Sequence, residues 1–308
     1  MTTVLITGGH SGIGLAAARS LAARKVDLVL AGRSPDRMRA VADELEAAHG
    51  VAVTTLPLDT SSLASVRSAA DQFRGSLDAL LCNAGGRSAG GFAYTPDGYE
   101  TTFATNYLGH FLLVELLLPQ LAEHGRIVFT VSGTHDPDTM DGRLVGKSVE
   151  PDAVALAGTK TLSAGVRYST SKLCTIMHAY ELHRRLRAAG STVSSIAYDP
   201  GAVAGTDFLR NLPRPAQRLS ASRAASLLMR RIGVTTSDVT FSGTSLADLA
   251  VAPQYTDVSG TYLQAKEEKL STVRSSKLSY DEPRATKLWT DSRRLTHLTP
   301  AEDATRPR

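Results

Sequence analysis

Short apolar runs alternate with helix-patterned stretches along the first two thirds of the chain. Residues 3–7 read as a buried strand, residues 15–24 carry helical apolar spacing, and residues 26–31 form a second apolar run with β-branched content. Ser34-Pro35 opens the next helix with a cap candidate and a proline in the first turn, and Gly50 stops it. The rhythm repeats: a strand over 51–58, a helix over 61–73, a strand over 77–82, a long apolar helix over 107–123 broken at Gly125, and a strand over 126–131. Strands alternating with helices predict right-handed crossovers and a mostly parallel sheet. Near-continuous apolar strands predict that both of its faces are covered.

From Gly133 to Gly165 the pattern lapses, over a length too great for an ordinary connection. This stretch reads as a partly ordered excursion beside the site. A helix over 166–188 and a strand over 193–198 follow. After Pro200-Gly201 the chain reads as a loop with short helices, about 202–232, suited to capping a substrate. A helix over 236–249 is weakened by Ser242 and Gly243. Residues 260–264 resemble a last edge-side strand, and 281–294 a final helix with Pro283 in its first turn. Residues 299–308 read as a flexible tail. No repeat and no Pro/Gly/Ser-rich linker divides the chain, so residues 1–298 are expected to form one α/β domain.

Composition narrows the function. The 308 residues are 42% hydrophobic, an ordinary globular balance. Two cysteines in separate segments suggest neither a disulfide framework nor a cysteine zinc site, which fits a reducing, cytoplasmic compartment. No stretch reaches the roughly 18 apolar residues that span a bilayer, and the apolar opening reads as a strand rather than a leader, so membrane insertion is not expected. The net charge of +4 is modest and its arginine clusters fit solvated helix faces, so no nucleic-acid partner is expected. No His/Asp/Glu spacing suggests a metal.

The chemistry begins at Gly8-x-x-x-Gly12-x-Gly14, between the first strand and the first helix. Such a turn lets backbone N–H groups and a helix N-terminus face a pyrophosphate, although a glycine-rich turn can also be purely structural. It lacks the Lys-Ser or Lys-Thr ending of an ATP-binding phosphate loop. At the end of the second strand stands Arg33, where a ribose 2′-hydroxyl would call for an acid. Its planar fork suits a 2′-phosphate, with Arg37 one turn on, which favours NADP(H) over NAD. Asp59 after the third strand can accept from an adenine amino group. Asn83-Ala84-Gly85 closes the fourth strand at the same crevice.

Tyr168 and Lys172 lie four apart in a helical pattern and share a face. A tyrosine beside a cation can exchange a proton with an oxygen that gains or loses charge during hydride transfer. Ser132 ends the fifth strand and can hold that oxygen. Asn106 precedes a long apolar helix, as an N-cap or as a polar group bonded to backbone near the site. His135 is a substrate contact or a loop residue bonded to backbone. Phe92, Tyr94, Phe208, Leu209 and Leu212 suggest an apolar pocket.

Together Gly8, Gly12, Gly14, Asn83-Ala84-Gly85, Asn106, Ser132 and Tyr168-x-x-x-Lys172 resemble the short-chain dehydrogenase/reductase family, over about residues 2–265. The resemblance implies a Rossmann-type three-layer sandwich around a mostly parallel sheet. It implies a cofactor turn that includes His10, Ser11 and Ile13, Tyr168 as acid/base, Lys172 lowering its pKa and binding ribose, Ser132 orienting the substrate oxygen, and Asn106 in a water relay. It also implies Arg33 at the 2′-phosphate, Asp59 at adenine, and Pro200, Gly201, Val203 and Thr206 around the nicotinamide. Residues 75–82, 106–113 and 200–210 further resemble the branch of retinol dehydrogenases and light-dependent protochlorophyllide reductase. That branch implies a bulky apolar carbonyl or alcohol substrate. Pigment C=C reduction and a catalytically silent NADP-binding protein are the alternatives. The helices holding Tyr107 and Tyr168 are apolar enough to pair two copies, so a homodimer is possible.

Overall fold

The computed structural model describes residues 2–87, 92–158, 161–203 and 233–302. Strands β1 (Thr3–Thr7), β2 (Asp27–Gly32), β3 (Val53–Pro57), β4 (Leu77–Cys82), β5 (Leu121–Thr130), β6 (Ser194–Asp199), β9 (Thr261–Lys266) and β10 (Lys269–Thr272) form one sheet in the order β10-β9-β6-β5-β4-β1-β2-β3. Every pairing is parallel except β9 with β10. A two-residue pair, β7 (Ala202–Val203) with β8 (Thr236–Ser237), lies apart. The chain runs outward from β1 to β3, then restarts at β4 on the other side of β1. That reversal opens a crevice at the carboxyl ends of β1 and β4.

Helices α1 (Gly12–Ala23), α2 (Pro35–His49) and α9 (Val239–Val251) cover one face of the sheet. Helices α3 (Leu63–Gln72), α5 (Gly109–Leu117), α8 (Ala164–Ala188) and α10 (Glu282–Leu295) cover the other. Two hydrophobic cores on opposite faces are the three-layer α/β sandwich the sequence implies. The sequence pattern doubts α9 because of Gly243, but a Cβ there would collide with Ala16, so the glycine allows α1 and α9 to touch. Asp238 caps α9 through the amides of Thr240 and Phe241, at 2.7 and 3.2 Å.

Three expectations change. The helix expected over 107–123 begins earlier: a turn at Thr101–Phe103 (α4) leads into a π-helical turn, Ala104–Leu108, and then α5. It also ends earlier, at Leu117, because Pro119 has no N–H to continue it, and β5 already starts at Leu121. The expected last strand is interior, and β10 forms the antiparallel edge beyond it. The hairpin between them turns on Glu267 and Glu268, both at positive φ (50° and 58°), where Asn-Gly would have signalled it. The excursion is ordered in large part, with α6 (Met140–Val145) and α7 (Ala153–Ala157).

Helix α10 packs against α8 and the side chains of Tyr107 and Phe111. Trp289 is buried against Phe111 and His178, at centroid distances of 5.1 and 5.3 Å, and Tyr107 Oη lies 2.9 Å from Ser292 Oγ. Among the described residues no helix is long and apolar enough to cross a membrane, and no group of three His, Cys, Asp or Glu residues could hold a metal.

Candidate active site

The glycine turn closes inward and opens outward. A Cβ on Gly14 would meet Gly8 O at 2.5 Å, whereas one on Gly12, at φ +53°, would meet nothing within 4 Å. Ser11 stands at the N-cap of α1 but makes no side-chain capping bond, so no side chain occupies the first-turn amides through it. Ile13 continues the turn into α1. His10 lies against Gly32, and its buried Nδ1 has no partner. Burial, then the charges of Arg37 and Arg33, lower its pKa, which places three basic side chains at the end of β2. Both arginines are exposed. The open cradle and this basic cluster fit a dinucleotide carrying a 2′-phosphate.

Asp59 lies just past β3, with Oδ1 already accepting from Ser61 N at 2.9 Å and Ser61 Oγ at 2.7 Å in a tight turn. Thr7, at the end of β1, ties the crevice together. Its Oγ1 accepts from Asn83 N and Ala84 N, each at 2.8 Å, and lies 3.0 Å from His110 Nε2. Burial and the nearby Lys172 charge hold His110 neutral, with its pKa lowered to about 4, although its bond to the Asn106 backbone opposes the shift. The sequence reading missed His110, whose one visible signal was a lone imidazole in an apolar helix.

Asn106 is not an N-cap. It sits inside the π-helical turn and clamps the loop after β4: Oδ1 accepts from Gly86 N at 2.9 Å, and Nδ2 donates to Gly86 O and to Ser171 Oγ, both at 3.0 Å. Gly85, at φ +136°, lies so close that a Cβ would meet Asn106 Oδ1 at 2.6 Å.

Ser132 stands two residues beyond β5 and caps a short turn, accepting from Thr134 N at 3.3 Å and Thr134 Oγ1 at 3.1 Å. Its hydroxyl lies close enough to the Tyr168 phenol to lower that group's pKa. Burial raises Tyr168 to about 12. The Ser132 hydroxyl and the charge of Arg87 pull it down, while Asp199 pushes it up. Lys172 is buried, its Nζ donates to Thr130 O at 2.8 Å and lies 5.7 Å from the Tyr168 ring centroid, and burial lowers its pKa to about 8. Burial outweighs the lowering by Ser132 and Arg87, so the net shift of Tyr168 in the protein alone is upward.

His135 bonds backbone on both sides. Its Nδ1 donates to Ser132 O at 2.7 Å and its Nε2 accepts from Ser276 N at 3.0 Å, so it braces Ser132 rather than facing a substrate. Pro200 and Gly201 follow β6, where Asp199 accepts from Gly201 N at 3.0 Å, Tyr262 Oη at 2.8 Å and Gln264 Nε2 at 2.8 Å. Val203 is buried in β7. Thr206, Phe208, Leu209 and Leu212 lie outside the described residues. Ser132, Tyr168, Lys172, Asn106, the glycine turn and Arg33 all lie near the carboxyl ends of the parallel strands.

Known proteins resemble this chain. The short chain dehydrogenase profile matches residues 2–139. Mouse polyprenol dehydrogenase (Mus musculus) is 34% identical, over 95% of this chain and 83% of its own. Protochlorophyllide reductase A of rice (Oryza sativa subsp. japonica) is 33% identical, over 96% and 80%. A short chain dehydrogenase from Burkholderia cenocepacia J2315, solved with NADP, superposes with a TM-score of 0.64 at 25% identity, over 86% of this chain and 96% of that one.

Proposed function

The chain belongs to the short-chain dehydrogenase family, and on that premise we propose that it is an NADP(H)-dependent oxidoreductase acting on the carbonyl or secondary alcohol of a bulky apolar substrate. The carrying observation is the buried Lys172 Nζ, held on Thr130 O at 2.8 Å and 5.7 Å from the Tyr168 ring centroid, with the Ser132 hydroxyl beside the phenol. When bound, NADP(H) supplies or takes the hydride. The Gly8–Gly14 turn would hold its pyrophosphate, His10, Arg33 and Arg37 its 2′-phosphate, Asp59 its adenine, and Asn83 to Gly85 with Pro200, Gly201 and Val203 its other end. The NADP bound by the Burkholderia relative supports that choice of cofactor.

Ser132 orients the substrate oxygen. Tyr168, raised to about 12, is protonated throughout the neutral range and gives its proton to the oxygen as charge develops there. Lys172 supplies a fixed cation and Asn106 holds the loop against the site. Tyr94 and Leu144, 50% and 56% exposed, give apolar surface on the two segments flanking Ser132 and Tyr168. The relation to a polyprenol dehydrogenase supports a bulky apolar alcohol or ketone. Pigment C=C reduction is the second reading, carried by the protochlorophyllide reductase relation. Light-dependent NADPH oxidation with protochlorophyllide would establish it.

The test is Tyr168→Phe, assayed by NADPH oxidation over a panel of apolar ketones and by nicotinamide fluorescence for binding. Binding should persist while turnover falls by about 100-fold or more. Full turnover would refute the mechanism.

A further inference from the structure

A buried ion pair joins the two helices that carry Asn106 and Tyr168. Glu100 Oε1 lies 3.1 Å from Arg167 Nε, with side chains 3% and 6% exposed. The Nε–H is not aimed along that line, so the contact is one of charge more than an aligned hydrogen bond. Two ions taken from water are costly, and replacing such a pair with apolar groups is often neutral for stability. What the pair joins therefore matters.

Glu100 starts the helix that leads to Asn106. Its carboxylate accepts from Thr102 N at 3.0 Å and Phe103 N at 2.7 Å, and its own N–H donates to Ala157 O at 2.9 Å at the end of α7. Arg167 immediately precedes Tyr168. Its Nη1 donates to Leu162 O at 3.1 Å, and its guanidinium carbon lies 5.3 Å from the Phe92 ring centroid. Phe92 in turn meets Tyr94 edge-on at 5.2 Å, and Thr101 N donates to Ala93 O at 2.9 Å. Four segments converge on this one pair: the loop after β4, the turn before Asn106, the excursion, and the first turn of the Tyr168 helix.

We propose that Glu100 and Arg167 are positioning residues that set Tyr168 against Asn106 and hold Phe92 as an aromatic wall of the substrate pocket. The inference rests on the oxidoreductase reading above. Because misplacement of about 1 Å can cost about 100-fold in rate, loss of the pair acts on turnover before it acts on cofactor binding.

The experiment compares Glu100→Gln, Arg167→Met, their double variant, Arg167→Lys and Phe92→Ala with the wild type. It uses one bulky and one small apolar ketone that the wild type reduces, NADPH affinity by fluorescence, and thermal unfolding. Each single loss should lower kcat by about tenfold, leave NADPH affinity within about twofold, and raise KM for the bulky ketone more than for the small one. The double variant should lose no more than the singles, and Arg167→Lys should recover part of kcat. Phe92→Ala leaves the ion pair intact and should lose only the preference for the bulky ketone, which keeps the wall testable if an ion-pair variant fails to fold. Unchanged kcat and KM in folded Arg167→Met, or kcat and NADPH affinity falling together with the unfolding midpoint, would overturn the proposal. A fully active Tyr168→Phe would instead sink the reading beneath it.

Discussion

His178 should make the fold acid-sensitive, and one substitution should remove a defined share of that sensitivity. Its ring sits in an aromatic box, with centroids of Phe129 at 4.8 Å, Phe111 at 5.0 Å, Trp289 at 5.3 Å and Tyr107 at 6.0 Å, and its buried Nε2 has no partner. Burial, with His110 nearby, lowers its pKa from the ordinary 6.5 to about 3. A histidine held neutral by the fold binds its proton more readily when unfolded. Its contribution is therefore complete above about pH 6.5 and is lost as pH falls toward the folded value. Between about pH 7 and about pH 5 the loss is about 2 kcal/mol for this ring. His110, lowered to about 4, adds a similar amount over the same window. His178→Phe keeps the ring and abolishes the titration. Urea unfolding at both pH values should show the variant losing about 2 kcal/mol less than the wild type on acidification, with equal or greater stability near neutrality. The comparison cancels the titrating groups that do not interact with His178. Equal losses in the two proteins would refute the burial argument.

Arg33→Ala should weaken NADP binding by about tenfold or more while leaving NAD nearly unchanged, read by fluorescence titration of each; an unchanged ratio removes Arg33 from the 2′-phosphate site. Gly85→Ala would place a Cβ 2.6 Å from Asn106 Oδ1 at φ +136°, so the Asn106 clamp on Gly86 should break and turnover should fall by about tenfold or more, with wild-type kinetics counting against the clamp.

Where local pattern and tertiary environment agree, the sequence was legible. The run from β1 through the glycine turn to α1 shows it, as does the helix bearing Tyr168 and Lys172, because apolar period and turn chemistry are local properties. Asn106 shows the limit. Its helix starts upstream on a cap supplied by Glu100, a residue type that gives no cap signal in sequence, and the π-helical turn has no sequence signature in this stretch. The Glu267–Glu268 hairpin was hidden for a related reason, since two glutamates at positive φ contradict the usual turn residues. The Glu100–Arg167 contact links distant positions through the fold alone. His135 was ambiguous until the segment holding Ser276 folded back over it.

The pairing of Tyr168 with Lys172 also acquires a direction. A phenol raised to about 12 is a standing proton donor, which suits reduction, whereas oxidation would ask it to serve as a base far below that value. Lys172 is the group whose charge changes near neutrality, because burial lowers it to about 8 although Asp199 opposes the shift. On the proposed mechanism the cation present below that value would stabilise the developing tyrosinate; above it the ammonium is lost while Tyr168 is still protonated. Ketone reduction should therefore be flat through neutral pH and decline above about pH 8, as one proton leaves. Alcohol oxidation should rise with pH through the neutral range, where the Lys172 cation is still present. A reduction rate constant up to about pH 10 would mean that the Lys172 charge is not required, and that its bond to Thr130 O serves only to hold the helix against β5.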